Sequence, residues 1–320
     1  MTEVESKKYM KWKNMSKKDK WKTIIGWSAV GITLVISSFW AFWGIVENFH
    51  EGWYSTSVWE NLFMLFFQYI GFPIVFIVLS LIALKWRWVG FGIFTAVAIF
   101  VVIFFGGANF SVVYLMLAIP LISMGLLYLF GKVQPKFEKY AILAIILIPT
   151  LVIGIGAIPG AIRVSQRIDD GNCGMRTVVG NGITLIWAPE GPGWPTDEKG
   201  YNWTIAVNQT RYLNEDGLTL NSTIQDIWRL PSVEEMVRSQ QIHGESAGGT
   251  WDTIFEKATY EKTPDKETPL WKPHSLVIYY WTGTEISGTH AYIIVYDGGV
   301  FVRDKQYGYP YLNFRAVTEP

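Results

Sequence analysis

The sequence predicts a multi-pass α-helical membrane bundle of five spans followed by an α+β extracytoplasmic domain. Three observations carry that prediction. Five apolar stretches, at about 23–46, 61–84, 88–107, 110–131 and 140–161, each approach the roughly 20 residues needed to cross a bilayer core, and none contains Lys, Arg, Asp or Glu. The links between them alternate in charge. Beyond Arg163 the texture changes to short strand-like runs and turns with two helical patterns.

The net charge of zero is a sum of opposites: residues 1–161 carry 13 Lys and Arg against 7 Asp and Glu, and residues 162–320 carry 14 against 20. An acidic outer half excludes nucleic acid as its expected partner, because phosphate binding needs clustered cations on one face. Eight lysines precede the first span, Lys85 and Arg87 follow the second, and Lys132, Lys136 and Lys139 follow the fourth. The intervening links, "ENFHEGWYSTSVWE" and "GGANFS", hold no Lys or Arg. Positive charge stays on the cytoplasmic side, so the sequence predicts a plasma (inner) membrane protein with its N-terminus inside. The expected organisation is a cytoplasmic basic tail over 1–22, a five-span domain over 23–161 and an extracytoplasmic domain over 162–320.

Within the bundle, Trp21, Trp53, Tyr54, Trp59, Trp86, Trp88 and Tyr140 collect at the predicted boundaries, where a ring is half solvated and half buried. The first span is too long for a signal-peptide core and reads as an uncleaved anchor. Gln68, Ser37, Ser38 and Ser123 are the most polar groups in the spans and point to helix packing rather than to a transport path. Gly156 and Gly160 form a small-xxx-small pair, and the bilayer is the expected partner of this half.

In the outer half, "ITLIWAP" (183–189) reads as a strand ended by Pro189, and "GPGWPTDEKG" as a loop. "WTIAVNQTRYLNEDG" has helical spacing and is expected to stop at a Gly217 cap. In "DIWRLPSVEEMVRS", Pro231 disfavours helix at Leu230, Ser232 caps a new helix and Glu235 completes a capping box. That helix is expected to run to about Gln241. "SLVIYYWTG", "HAYIIVY", "VFVR" and "LNFRAV" read as strands, with "DGG" (297–299) closing a hairpin. Residues 243–274 read as a long polar loop carrying His243, Trp251, Trp271 and His274.

These segments, with "LIWAP", "RYLNEDG", "IWRLPSVEEM", "YYWTGTE", "AYIIVYDGGVFVRDK" and "FRAV", resemble in order the bacterial Lcl C-terminal-domain family over about 180–318. That family is similar to C-type-lectin-like and sulfatase-modifying-factor folds, so the resemblance implies an α+β C-type-lectin-like domain. It also implies a core role for Trp228 and Leu230, and a buried Arg229 guanidinium paired with a carboxylate or carbonyls. The chain departs from the family where many members have a cysteine near the end of the first helix and another before the C-terminus: neither Ala206–Tyr212 nor Phe314–Val317 holds one.

Three functions are weighed. The first is surface recognition or adhesion, binding a glycan, wall polymer or protein, with Trp251, Trp271, His243 and His274 as ligand-binding candidates; the blander and favoured reading of both Trp rings is packing beneath the loop. The second is a sensor or assembly subunit that needs a membrane partner subunit. The third, least favoured, is an enzyme of the formylglycine-generating type, whose chemistry uses active-site cysteines. Cys173, the one cysteine, precedes the matching region and sits in a Gly-flanked turn, with an intermolecular bridge as the alternative. His243, His274 and His290 lack metal-ligand spacing, and Asp252, Asp265, Glu267 and Asp297 read as solvated or turn residues. No enzyme activity, metal or cofactor is expected.

Overall fold

The computed structural model describes residues 15–105, 114–192 and 200–320. Most of the basic tail, the "GGANFS" link and the centre of the "GPGWPTDEKG" loop lie outside the described residues. The chain divides into two units: residues 1–50 with 59–161, and residues 51–58 with 162–320.

The first unit is helical. Its elements are α1 (Lys17–His50), α2 (Val58–Met64) continuing as a π-helical stretch Leu65–Tyr69, α3 (Gly71–Lys85), α4 (Arg87–Phe105), a second π stretch Tyr114–Ala118 leading into α5 (Ile119–Phe130), and α6 (Pro135–Ser165). Among the described residues, α1, α4 and α6 are long and apolar enough to cross a membrane. The α2–α3 pair is a fourth such segment if its 57° bend is one broken span, and α5 is shorter. At 1.5 Å per residue α1 is about 51 Å long, well beyond a hydrocarbon core.

The bend has a local cause. Ile70 N donates to Leu65 O at 2.9 Å, an i to i+5 bond, and Pro73 has no N–H to offer the Tyr69 carbonyl. The broken turn nests on α1 at Gly44, where a Cβ would meet Tyr69 O at 2.2 Å. Gly156 and Gly160 of α6 face Ile45 and Phe49 of α1, and a Cβ on Gly160 would lie 2.5 Å from the Phe49 ring. The small pair thus admits two large side chains. A buried polar contact ties three helices: Thr33 Oγ1 lies 2.7 Å from Tyr128 Oη and donates to Ser80 Oγ at 3.3 Å.

The second unit is β-rich. In chain order it contains β1 (Arg176–Val179), β2 (Thr184–Trp187), α7 (Trp203–Tyr212), α8 (Val233–Ser239), β3 (Gln241–Ile242), β4 (Glu245–Ser246), β5 (Thr250–Asp252), β6 (Lys257–Thr259), β7 (Tyr279–Glu285), β8 (His290–Val295), β9 (Val300–Asp304), β10 (Leu312–Asn313) and β11 (Val317–Thr318). A four-stranded sheet runs β10-β7-β8-β9, with β10 parallel to β7. A three-stranded sheet runs β1-β2-β11, and β3-β4 and β5-β6 are separate hairpins. The two larger sheets share a core in which Trp187, Trp271, Tyr280, Tyr296 and Val317 are buried with Met236 and Val237 of α8.

Several expectations are corrected. The first helix of this unit ends at Tyr212, capped by extended Leu213, and Gly217 (φ 65°) instead closes a separate turn by donating to Asn214 O at 2.9 Å. Residues 243–274 are not a featureless loop, since β4, β5 and β6 lie within them. "LNFRAV" is not one strand: β10 joins the first sheet and β11 the second, and the chain crosses between them at Phe314–Ala316.

Candidate functional site

The Trp228–Pro231 segment and its cap are architectural. Trp228 is buried with Ala188, Leu213 and Ala316, and its indole N–H donates to Asn214 O at 2.8 Å. Leu230 packs under Trp281 and Phe314. Ser232 Oγ accepts from Glu235 N at 3.2 Å while Glu235 Oε2 accepts from Ser232 N at 2.7 Å, which is the predicted reciprocal cap on α8. Arg229 donates to both Glu235 oxygens and to Glu319 Oε1, all at 2.7 Å. Burial pushes the Glu235 carboxyl up, but Arg229 and the Ser232 N–H outweigh it and hold the group below its ordinary value.

The Arg229 side chain is 45% exposed, so the expectation of a buried guanidinium there is corrected. A guanidinium that is buried is that of Arg315, which donates to the carbonyls of Ala188, Pro269 and Leu270 beneath the sheet crossover.

The four candidate ligand residues are not brought together. Trp271 is 2% exposed, stacked on Tyr280 at 4.2 Å with its N–H directed at Gln240 Oε1. Its proposed stacking on a ligand is corrected: the ring fills the core beneath the segment that carries it. His243 Nδ1 lies 3.2 Å from Glu267 Oε1, whereas His274 contacts Asp169 Oδ2 at 3.5 Å and Tyr54 O at 3.3 Å. Trp251 is half-buried, edge-on to Tyr292 at 5.4 Å. It lines an open concavity with Asp252, Ile254, Phe255 and Lys257, and neither histidine reaches it.

That concavity belongs to the β5–β6 hairpin, whose tip the sequence reading missed. Asp252 Oδ1 accepts from Ile254 N at 2.8 Å and from Phe255 N at 3.0 Å, so the turn is held by its own side chain. Glu256 takes the left-handed conformation (φ 48°) at the return, and Thr250 and Thr259 Oγ1 atoms lie 2.7 Å apart across the two strands. The consequence is an ordered turn that presents Ile254, 84% exposed, and Phe255, 78% exposed, to solvent. The legible signal was the Asx residue two positions before an apolar pair.

A second concentration of chemistry is internal. Asp265 and Glu267, which read as solvated or turn residues, and Lys266 between them are each 2% exposed. Arg167 grips Asp265 with two hydrogen bonds, at 3.0 and 2.9 Å, and Arg163 and Arg167 lie over the Tyr296 ring at 5.7 and 5.5 Å. The Lys266 ammonium donates to Ser275 O. Burial, reinforced by the Arg167 charge and opposed by Asp265, pulls Lys266 down to about 7. Burial raises the Glu267 carboxyl. Their partners differ: Asp265 is held by Arg167, Lys266 by a backbone carbonyl, and Glu267 Oε2 accepts from His243 N at 2.9 Å.

Burial and the neighbouring Glu190 push the Cys173 thiol up to about 12, so it is held protonated, the opposite of an activated nucleophile. Among the described residues no group of three or more His, Cys, Asp or Glu is arranged to hold a metal ion.

Residues 17–140 match a family described as a domain of unknown function, DUF7670; the match covers α1 to the start of α6 and reaches none of the strands β1 to β11. No curated protein and no solved structure matches the chain.

Proposed function

We propose that this protein is a membrane-anchored recognition module: a five-span bundle with its N-terminus in the cytoplasm holds the β-rich unit outside the cell, where the β5–β6 tip engages a ligand. The carrying observation is the turn that Asp252 fixes around exposed Ile254 and Phe255. Ordered apolar anchors bind at little conformational cost, and hot spots in interfaces are of this kind. Of the expected ligand classes, glycan, wall polymer or protein, a protein with an apolar recess suits an Ile-Phe wedge best. The C-type-lectin-like resemblance remains part of the proposal for the fold of this unit.

The topology draws support from residues 51–58, which cluster with 162–320, and from the contact of Tyr54 O with His274. Two segments that pack together lie on the same side of a membrane, so the chain crosses an even number of times between them. Four crossings, by α2–α3, α4, α5 and α6, satisfy this. Two crossings do as well, but they would leave Lys85 and Arg87 on the outer face, against the charge rule. Replacing Ile254 and Phe255 with serine tests the reading: ligand capture by intact cells should fall with the fold unchanged.

A further inference from the structure

At the cation-bearing end of the helical unit the structure forms a partly open recess of about 130 Å³, lined by Gly26 of α1, Lys85 at the end of α3, Arg87 at the start of α4, Tyr128 of α5, Lys132 in the link and Glu138 of α6. Against the roughly 30 Å³ that one water takes up in the liquid, this has room for a tetrahedral oxyanion. Among the described residues Lys85, Arg87 and Lys132 form no ion pair, and Glu138 on the same wall is beyond ion-pair distance of all three. Three cations therefore share one recess with a single carboxylate, leaving a positive excess that a bound anion would neutralise.

The recess is built rather than incidental. Lys132 N donates to Lys22 O at 2.8 Å, and Gly26 approaches so closely that a Cβ there would lie 2.6 Å from the Lys132 backbone. Those contacts pin the link that carries Lys132 against α1. Trp86 and Trp88 flank Arg87 in sequence, and they, with Trp21 and Tyr140, are each more than half exposed, which is the composition of a chain at the depth of lipid headgroups.

We infer that this cavity binds the phosphate group of an anionic glycerophospholipid. Lys85, Arg87 and Lys132 surround the phosphate oxygens, and the exposed indoles border the glycerol and upper acyl region. Basic pockets between membrane helices hold anionic headgroups in this way. The inference concerns the bundle alone and holds whichever side this end faces, so it stands or falls separately from the recognition reading.

The test uses the full chain in mild detergent, with native mass spectrometry counting retained lipid across titrations of phosphatidylglycerol, phosphatidylcholine and inorganic phosphate. One phosphatidylglycerol should stay bound where phosphatidylcholine does not. Arg87→Gln and Lys132→Gln should each weaken retention about fivefold, the gain expected per cation near an anionic surface. Lys17→Gln with Lys18→Gln should leave it unchanged, and Arg87→Lys should keep most of it. Equal losses from the Lys17 and Lys18 changes would mean diffuse attraction and overturn the site. Loss in Arg87→Lys as complete as in Arg87→Gln would show that charge is not what binds. Inorganic phosphate binding as tightly, with the same dependence on Arg87 and Lys132, would replace the lipid by a soluble anion.

Discussion

Asp252 Oδ1 accepts hydrogen bonds from both Ile254 N and Phe255 N, so one carboxylate orders the two most exposed large apolar side chains among the described residues of the β-rich unit. Separating order from contact gives the first prediction. Ile254→Ser with Phe255→Ser removes the contact and should shift folding stability by no more than about 0.5 kcal/mol, as exposed substitutions do. Asp252→Ala keeps both side chains and releases the turn. Ligand capture should fall in both, with equilibrium melting of the first close to the parent. A melting shift that matches the loss of capture would assign the tip to folding instead.

The two tryptophans of the 243–274 segment should behave differently. Trp271 is enclosed by Tyr280 and Tyr296, and Trp271→Ala should cost about 3–5 kcal/mol, as should Trp228→Ala. Trp251 keeps one half-exposed side towards the concavity, so Trp251→Ala should cost less and reduce ligand capture more. Urea denaturation set beside a capture assay measures both, and a Trp271→Ala protein of parental stability would refute the core assignment.

What was legible in the sequence was local. The cap on α8 needs two side chains three residues apart, Ser232 and Glu235, and the five apolar stretches correspond to α1, α2–α3, α4, α5 and α6 because hydropathy is a sum over neighbours. Asp252 and Asp297, which read as solvated or turn residues, each accept from a backbone N–H two positions on. Asp265 and Glu267 were misread because their partners are remote: Arg167 is 98 positions before Asp265. The β5–β6 hairpin was invisible because strands of three residues hold too little alternation to register a period. Trp271 and Trp251 carried the same signal, an aromatic in a polar stretch, and only packing separates them.

Those remote pairs set the limit of the β-rich unit. Arg163 and Arg167 both serve Asp265, so a fragment beginning at Ile162 keeps the grip and one beginning at Ile168 leaves a buried carboxylate without it. Breaking a buried pair from one side costs about 3–5 kcal/mol. The longer fragment should melt cooperatively under reducing conditions and the shorter should be less stable by that order; equal stability would show that the Arg167–Asp265 pair contributes nothing.

Lys266 gives a dependence on pH with a defined sign. Its folded value of about 7 lies below the ordinary 10.5, so between those values the unfolded chain holds a proton that the folded chain lacks. Stability should rise with pH across that window and level off below it. The raised Glu267 carboxyl works in the opposite sense, with stability lost as pH climbs from its ordinary carboxylate range through its folded value. Chemical denaturation at neutral and alkaline pH should show the rise in the parent and its absence in Lys266→Met. A slope that survives in Lys266→Met would place the titration elsewhere.

The most direct test of an outward-facing recognition tip is a cross-link at that tip in living cells. With Cys173→Ser removing the native thiol, Thr253→Cys places a reactive group beside Ile254 and Phe255. A membrane-impermeant maleimide carrying a photo-cross-linker is then added to intact cells. The account predicts labelling without permeabilisation, and on illumination a discrete higher-mass adduct that disappears when Ile254→Ser and Phe255→Ser are combined with Thr253→Cys. Labelling that occurs only after permeabilisation would put the unit on the wrong side of the membrane, and an adduct indifferent to the two serines would contradict recognition by the tip.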